Sequence, residues 1–275
     1  MDNDSEHSVY QRVHRFLIGG ARDLRDSNLF HKLSLTAFFA WIALGSDGLS
    51  SSSYGPQEAF VALQGHTSLA IFVALASALT IFVISASYMQ IVEVFPSGGG
   101  GYVVASKLLS PGLGMTAGCA LIIDYVLTIT VSIASGADAI FSFLPPEWHQ
   151  YKLLCAGVAL VFLVILNLRG IRESATFLMP IFLVFVATHA AAIIYGLLTH
   201  VSRFPEVTAE ITNDVSTLSS QVGTWGVFLI ILRAYSMGAG TYTGIEAVSN
   251  GLQALREPRA ETGKRTMKYV AISLS

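Results

Sequence analysis

Two long apolar stretches of this chain are each interrupted near the middle by glycines, hydroxyls and an acid, and this pairing constrains the fold more than any other feature. The first interruption is Ser46-Asp47-Gly48-Leu49-Ser50-Ser51-Ser52-Ser53-Tyr54-Gly55-Pro56, between Leu33–Leu44 and Ala59–Leu63. The second is Ser236-Met237-Gly238-Ala239-Gly240-Thr241-Tyr242-Thr243-Gly244-Ile245-Glu246. Unwound backbone at membrane depth exposes amides and carbonyls that lipid cannot satisfy, so it persists only around a cavity. Paired interruptions at corresponding positions of two halves mark the binding site of inverted-repeat secondary transporters.

Composition supports the membrane reading independently. Apolar residues make up 53% of the chain and Asp, Glu, Lys and Arg 12%, with a mean hydropathy of +0.60. The charges cluster between apolar blocks, which a soluble core does not require. A formal net charge of −2 points to no nucleic-acid surface. Cys119 and Cys155 fall in apolar spans without metal-ligand neighbours and are expected to be small buried packing residues.

The polar stretch 1–33 carries no short apolar core followed by a cleavage site, so the first span is expected to serve as its own targeting signal. Within it, Val9, Val13, Phe16 and Leu17 recur at helical spacing among Arg12, Arg15 and Arg22, a pattern shared by interfacial helices and solvated tails. Six apolar blocks follow, at about Ser34–Leu63, Leu69–Val92, Leu113–Leu144, Leu153–Leu168, Ala175–Leu198 and Trp225–Leu252, with a seventh starting at Tyr269. The transporter domain is therefore 34–275. Its first repeat would cover about 34–198, and 225–275 would begin an inverted copy, most of which this sequence does not contain.

Basic residues set the expected orientation. The amino-terminal stretch holds Arg12, Arg15, Arg22, Arg25 and Lys32, and the following even-numbered loops hold Lys107, then Arg169 and Arg172, then Arg256, Arg259, Lys264, Arg265 and Lys268. The opposite loops carry only Lys152 and Arg203, and Arg233 lies within a block. The amino terminus is accordingly predicted to be cytoplasmic.

In the third block Asp124, Thr128 and Ser132 recur every four residues with Tyr125 alongside, forming a polar stripe on an apolar helix. Threonines and serines in such stripes often only bond neighbouring helices; an intramembrane acid such as Asp124 marks a functional site by default. In the first block Asp47 and Tyr54 flank a break at Gly48–Ser53, whose freed carbonyls are further cation ligands. In the sixth, Thr243 and Glu246 share one face if the helix resumes at Gly244. Three acids, hydroxyls and loose carbonyls, with only Arg233 as a nearby base, suit a cation. Glu246 is the candidate for proton coupling, because it sits where the helix must rewind; its alternative is a structural partner of Arg233. No structural metal or cofactor is expected, the cation and protons being transported ions.

Other features carry less. Gly98-Gly99-Gly100-Gly101 lacks the Gly-Lys-Ser/Thr ending of a phosphate loop and is expected to be a flexible cytoplasmic connector. Gly263-Lys264 also lacks a nucleotide-loop context. Glu93 and Asp138 fall near span ends, as interfacial acids do, and His189 is expected to be a hydrogen-bonded packing residue. No nucleophile–base pair or cofactor loop supports an enzyme.

Pro96-Ser97-Gly98-Gly99-Gly100-Gly101-Tyr102 and Asn167-Leu168-Arg169-Gly170-Ile171-Arg172-Glu173-Ser174, with the broken first and sixth spans, resemble the amino acid-polyamine-organocation (APC) superfamily. That resemblance implies an all-α, LeuT-like five-plus-five inverted-repeat fold. Ser46-Asp47-Gly48-Leu49-Ser50-Ser51, Tyr54-Gly55, Asp124-Tyr125 and Thr243-Gly244-Ile245-Glu246 look more specifically like the KimA-type branch of proton-coupled potassium importers. By position it implies potassium ligands at Asp47, Tyr54, Asp124, Tyr125, Thr128, Ser132, Thr243 and Glu246. It also implies a bacterial inner-membrane location and a homodimer formed through a cytoplasmic carboxy-terminal domain, which senses cyclic di-AMP and is not in this sequence. Gly48, Ser52-Ser53 and Gln57 depart from that branch. The competing readings are an amino acid or amine permease, and a channel or non-transporting sensor. An ionised Asp47 in the first break would repel an amino acid carboxylate but accept an amine.

Overall fold

The computed structural model describes residues 12–14, 17–19 and 29–275. Of the amino-terminal helical pattern, Arg12–His14 and Leu17–Ile18 are helical, and Val9, Arg15, Phe16 and Arg22 lie outside the described residues. The rest is a succession of helices: α1 Ala37–Ser51, α2 Gly55–Ala62, α3 Ala70–Val94, α4 Gly100–Val104, α5 Pro111–Phe141, α6 Lys152–Leu168, α7 Ile171–His200, α8 Phe204–Met237, α9 Ala247–Asn250 and α10 Arg259–Leu274. Among the described residues the sole β pairing is a bridge between Leu35 and Leu255.

Starts and stops follow local chemistry. Thr36, extended at ψ 164°, accepts the Phe39 amide at 3.5 Å and opens α1. Ser110 does the same for Leu113 at 3.2 Å, with Pro111 at the first helical position of α5. Four helical runs, Thr67–Val94, Pro111–Phe141, Pro146–Leu168 and Ile171–Asn250, are long and apolar enough to cross a membrane. The first apolar block is not among them because its break divides it into 15 and 8 residues.

Several boundaries differ from the apolar pattern. The helix of the first block runs through Gly48 to Ser51, and only Ser52–Tyr54 is unwound. Ser50 and Ser51 hydroxyls donate to the Asp47 carbonyl at 2.8 and 3.2 Å, and Ser52 donates to Leu49 at 2.6 Å. The serines thus cap carbonyls that a longer break would have freed. α8 begins at Phe204, well before the apolar run at Trp225, as a polar helix that meets its apolar half at Gly223, where φ is +76°. α10 begins at Arg259 rather than Tyr269, because charged residues are helical there too.

The core forms where broken helices meet unbroken ones. α10 packs along α1 and α3, and α7 packs on α1. Ile42, Ile81, Ala175, Phe182, Ile245, Val248, Met267 and Val270 are buried together. Trp41 anchors this region, its indole N–H donating to Ser273 at 3.0 Å and its ring meeting Phe182 edge-on at 4.9 Å. A second cluster joins α2 to α8 through Ala59, Leu63, Leu218, Val227 and Ala234. α6 buries no residue, and Cys119 and Cys155 are exposed rather than buried, since no described helix covers their faces.

At the end of this second cluster, the α2–α3 loop is strapped to the polar half of α8. His66 Nδ1 lies 3.2 Å from one Asp214 oxygen and the Ser68 hydroxyl donates to the other. These bonds hold the Asp214 carboxyl below its ordinary range. A depressed folded value means that the strap stabilises fully above the unfolded value of about 4 and is lost as pH falls through the lower folded one. Acidification below about pH 4 is therefore expected to raise hydrogen exchange across 204–222, after correction for intrinsic rates. Asp214→Asn should show that raised exchange already at neutral pH. Protection in the variant equal to wild type would show that the strap contributes nothing.

Candidate functional site

The two interrupted helices meet backbone to backbone, and glycine makes the approach possible. A Cβ on Gly244, where φ is +84°, would stand 2.6 Å from the Gly48 nitrogen and 2.8 Å from the Asp47 carboxyl carbon. One on Gly55 would stand 2.4 Å from the Thr241 hydroxyl, and one on Gly238 would stand 2.8 Å from Ala59 Cβ. Only residues without side chains let two such segments cross at this distance.

Hydroxyls stitch the crossing. Ser51 Oγ lies 2.9 Å from the Tyr54 hydroxyl and 3.3 Å from Thr243 Oγ1, which also donates to the Gly240 carbonyl at 2.9 Å. Tyr54 and Thr243 therefore belong to one short hydrogen-bonded chain across both breaks. The second helix does not resume at Gly244. A 3₁₀ turn, Gly238–Tyr242, is followed by extended Thr243 at ψ 158° and by left-handed Gly244, and α9 starts only at Ala247. Thr243 and Glu246 are thus related by an irregular turn, not by a helical face. Arg233 is exposed and makes no ion pair with Glu246 among the described residues.

Beside the crossing is a cavity of about 530 Å³ lined by Ala43, Leu44, Asp47, Tyr125, Thr128, Ile129, Asn167, Ala247, Asn250 and Gly251. It brings three expected site residues, Asp47, Tyr125 and Thr128, to one space. Asp124 and Glu246 lie close enough for their charges to act on Asp47 and Tyr125. Ser132 is elsewhere, lining an apolar cavity between α5 and α6 with Trp148 and Cys155. One helical turn beyond Thr128, it has followed α5 away from the crossing.

Three polar residues of this region were not picked out by spacing. Asn167 and Asn250 line the cavity, and Asn250 donates to the Tyr125 hydroxyl at 2.7 Å. Tyr88, on α3, lies near Tyr125 and Glu246. Asn167 is a solitary polar residue in an apolar run, Asn250 directly follows Ser249 and Tyr88 lies among Ser85, Ser87 and Gln90, patterns that packing residues share. The other acids are occupied at the periphery: Glu93 pairs with Lys264 at 2.7 Å, and Asp138 pairs with Lys152. His189 bonds the Phe185 carbonyl at 2.8 Å and lies against its ring. The tetraglycine segment is no loose connector: Gly98, Gly99 and Gly100 all have positive φ and pack against α9, with Gly99 N 3.5 Å from the Asn250 carbonyl.

Among the described residues, membrane-length apolar helices together with two crossed, interrupted ones define a multi-pass helical membrane protein. The amino acid permease family model matches residues 33–274, and the chain belongs to that family. It is 34% identical over 273 residues to the potassium transporter KimA of Bacillus subtilis (strain 168), covering 97% of this chain and 43% of that protein. It is also 29% identical over 114 residues to the low-affinity putrescine importer PlaP of Escherichia coli (strain K12), covering 40% of this chain and 25% of that one. The chain thus spans less than half the length of the curated relatives it matches.

Proposed function

We propose that the protein to which this chain belongs is a secondary active transporter that imports a monovalent cation, potassium, together with protons by alternating access. The observation that carries this reading is the cavity floored by Asp47 and walled by Tyr125 and Thr128, with the Asp124 and Glu246 carboxylates beside it. Oxygen donors and concentrated negative charge are what a hard cation needs to replace its hydration shell. The 34% identity to a potassium transporter supports the choice of ion.

The mechanism proposed follows from the two breaks. α1–α2 and α8–α9 would act as corresponding elements of inverted repeats, rocking around the cavity while their crossing stays closed by glycine contacts. Asp47 and the α5 residues Asp124, Tyr125 and Thr128 hold the cation. Tyr54 and Thr243 tie the two breaks, and Ser132 extends the polar stripe of α5. Glu246, on the irregular turn before α9, is the proton carrier, because that turn can take different geometries in outward-facing and inward-facing states. The amino terminus and the basic loops are assigned to the cytoplasm of a bacterial cell, and a carboxy-terminal domain would form the homodimer.

Uptake into proteoliposomes by the full-length protein tests this directly. Wild type should accumulate rubidium, as a potassium tracer, against its gradient when a pH gradient is imposed. Glu246→Gln should still exchange rubidium but lose the acceleration by protons. A folded variant still driven uphill by the pH gradient would remove Glu246 from the carrier role, and downhill flux alone in wild type would make the protein a channel.

One observation favours a second reading. A space of about 530 Å³ exceeds what a bare monovalent ion fills, and an acidic cavity also suits an amine, the cargo in the name of the putrescine importer. Putrescine that is accumulated, with no rubidium uptake, would decide for it.

A further inference from the structure

Asn250 joins three parts of the molecule that the sequence keeps far apart. Its side-chain amide donates to the hydroxyl of Tyr125 on α5 at 2.7 Å. Its main-chain carbonyl lies 3.5 Å from Gly99 N, and its Oδ1 sits so close over Gly100 that a Cβ there would be 2.1 Å away. Gly98 closes the same contact, with a Cβ position 3.1 Å from the Asn250 carbonyl oxygen. The helix that carries Asn250, α9, is one turn of four residues. A single turn does not hold its own conformation, so the position of Asn250 is set by what packs on it.

The bond to Tyr125 has a directional consequence. A phenol that accepts a hydrogen bond from an amide keeps its own hydrogen for another acceptor. The groups whose charges act on Tyr125 are Asp47, Asp124 and Glu246, all acceptors when ionised. Accepting from Asn250 thereby leaves the phenol hydrogen free for one of these acids and a second oxygen lone pair free for a cation in the cavity that both residues line. Oδ1 of Asn250 is buried without a partner, an arrangement that costs stability and that glycines at 98–100 permit by bringing bare backbone against it.

We propose that Asn250 is a positioning residue of the cation cavity, holding the Tyr125 hydroxyl in its liganding orientation from a seat provided by the tetraglycine turn. The inference rests on the cavity being the substrate site.

The test is a double-mutant cycle in the full-length protein, reading half-saturation and maximal uptake for rubidium and, separately, for putrescine. Asn250→Ala should raise the half-saturation concentration about fivefold, the worth of one neutral hydrogen bond. In a Tyr125→Phe background, which has no hydroxyl to position, it should add nothing. Equal penalties in the two backgrounds, or none in either, would overturn the proposal. Should Asn250→Ala fail to fold, Asn250→Ser gives the same cycle with a polar side chain too short to reach Tyr125. Which substrate is moved, and whether Asp47→Asn impairs it, decides the cavity reading separately. A non-additive cycle on putrescine would keep the positioning role while the potassium reading falls.

Discussion

Asp47→Asn is expected to weaken potassium binding by the full-length protein about ten- to a hundredfold, equivalent to roughly 1.4–2.7 kcal/mol. The side chain lines the cavity and is half-buried, on a helix whose neighbouring carbonyls are already occupied by serine hydroxyls. Two unit charges about 4 Å apart at a protein-like effective dielectric interact by about 4 kcal/mol. The asparagine carbonyl recovers part of that as a neutral ligand, hence the smaller figure. Because the substitution is isosteric, folding should be unaffected. Asp138→Asn serves as the control, since Asp138 pairs with Lys152 at the other end of α5. Calorimetric titration with potassium checks both, and unchanged affinity in Asp47→Asn would remove Asp47 from the cation site.

Gly244→Ala is expected to have the largest effect on stability. The residue has φ +84°, and the added methyl would meet the Gly48 nitrogen at 2.6 Å and two Asp47 carbons within 3 Å. The left-handed backbone costs about 1–2 kcal/mol for a residue with a Cβ, and overpacking adds about 1–3. Most of the second cost falls on backbone, which cannot rotate away. The variant should therefore lose about 2–5 kcal/mol, with transport abolished even in the fraction that folds, because the breaks no longer close on each other. Gly65→Ala separates the two causes. Its φ is +96°, but nothing lies within 4 Å of the added methyl, so only the backbone cost remains. Apparent melting temperatures in detergent should fall much further for Gly244→Ala than for Gly65→Ala. Equal shifts would mean that the crossing is looser than these contacts require.

Much of the fold was legible because the membrane imposes it. Length, hydropathy and the cost of unpaired backbone in lipid leave few choices, and so α3, α5 and α7 start and stop near the limits of their apolar blocks. The same rules did not locate the polar half of α8 or the start of α10. Neither is apolar, and helices outside the hydrocarbon layer carry no hydropathy signal. Nor did composition show that serines would recapture the Asp47 and Leu49 carbonyls and shorten the first break, because that depends on which rotamers the neighbouring turn leaves free.

The amino-acid sequence alone determined that the chain is a multi-pass helical protein with two interrupted apolar blocks and acids inside apolar blocks. Those properties follow from one-dimensional spacing and the free energy of moving each residue out of water. Only the tertiary structure decided which polar residues meet. Asp47, Tyr125 and Thr128 share a cavity, whereas Ser132, on the same stripe, faces a different one. Asn250 reaches Tyr125 across 125 residues of sequence and rests on glycines that had the composition of a linker. Helical periodicity gives a residue its direction about one axis; which neighbour occupies that direction is settled by how the helices cross, and here the crossing is set by glycine-to-backbone contacts between segments far apart in the chain.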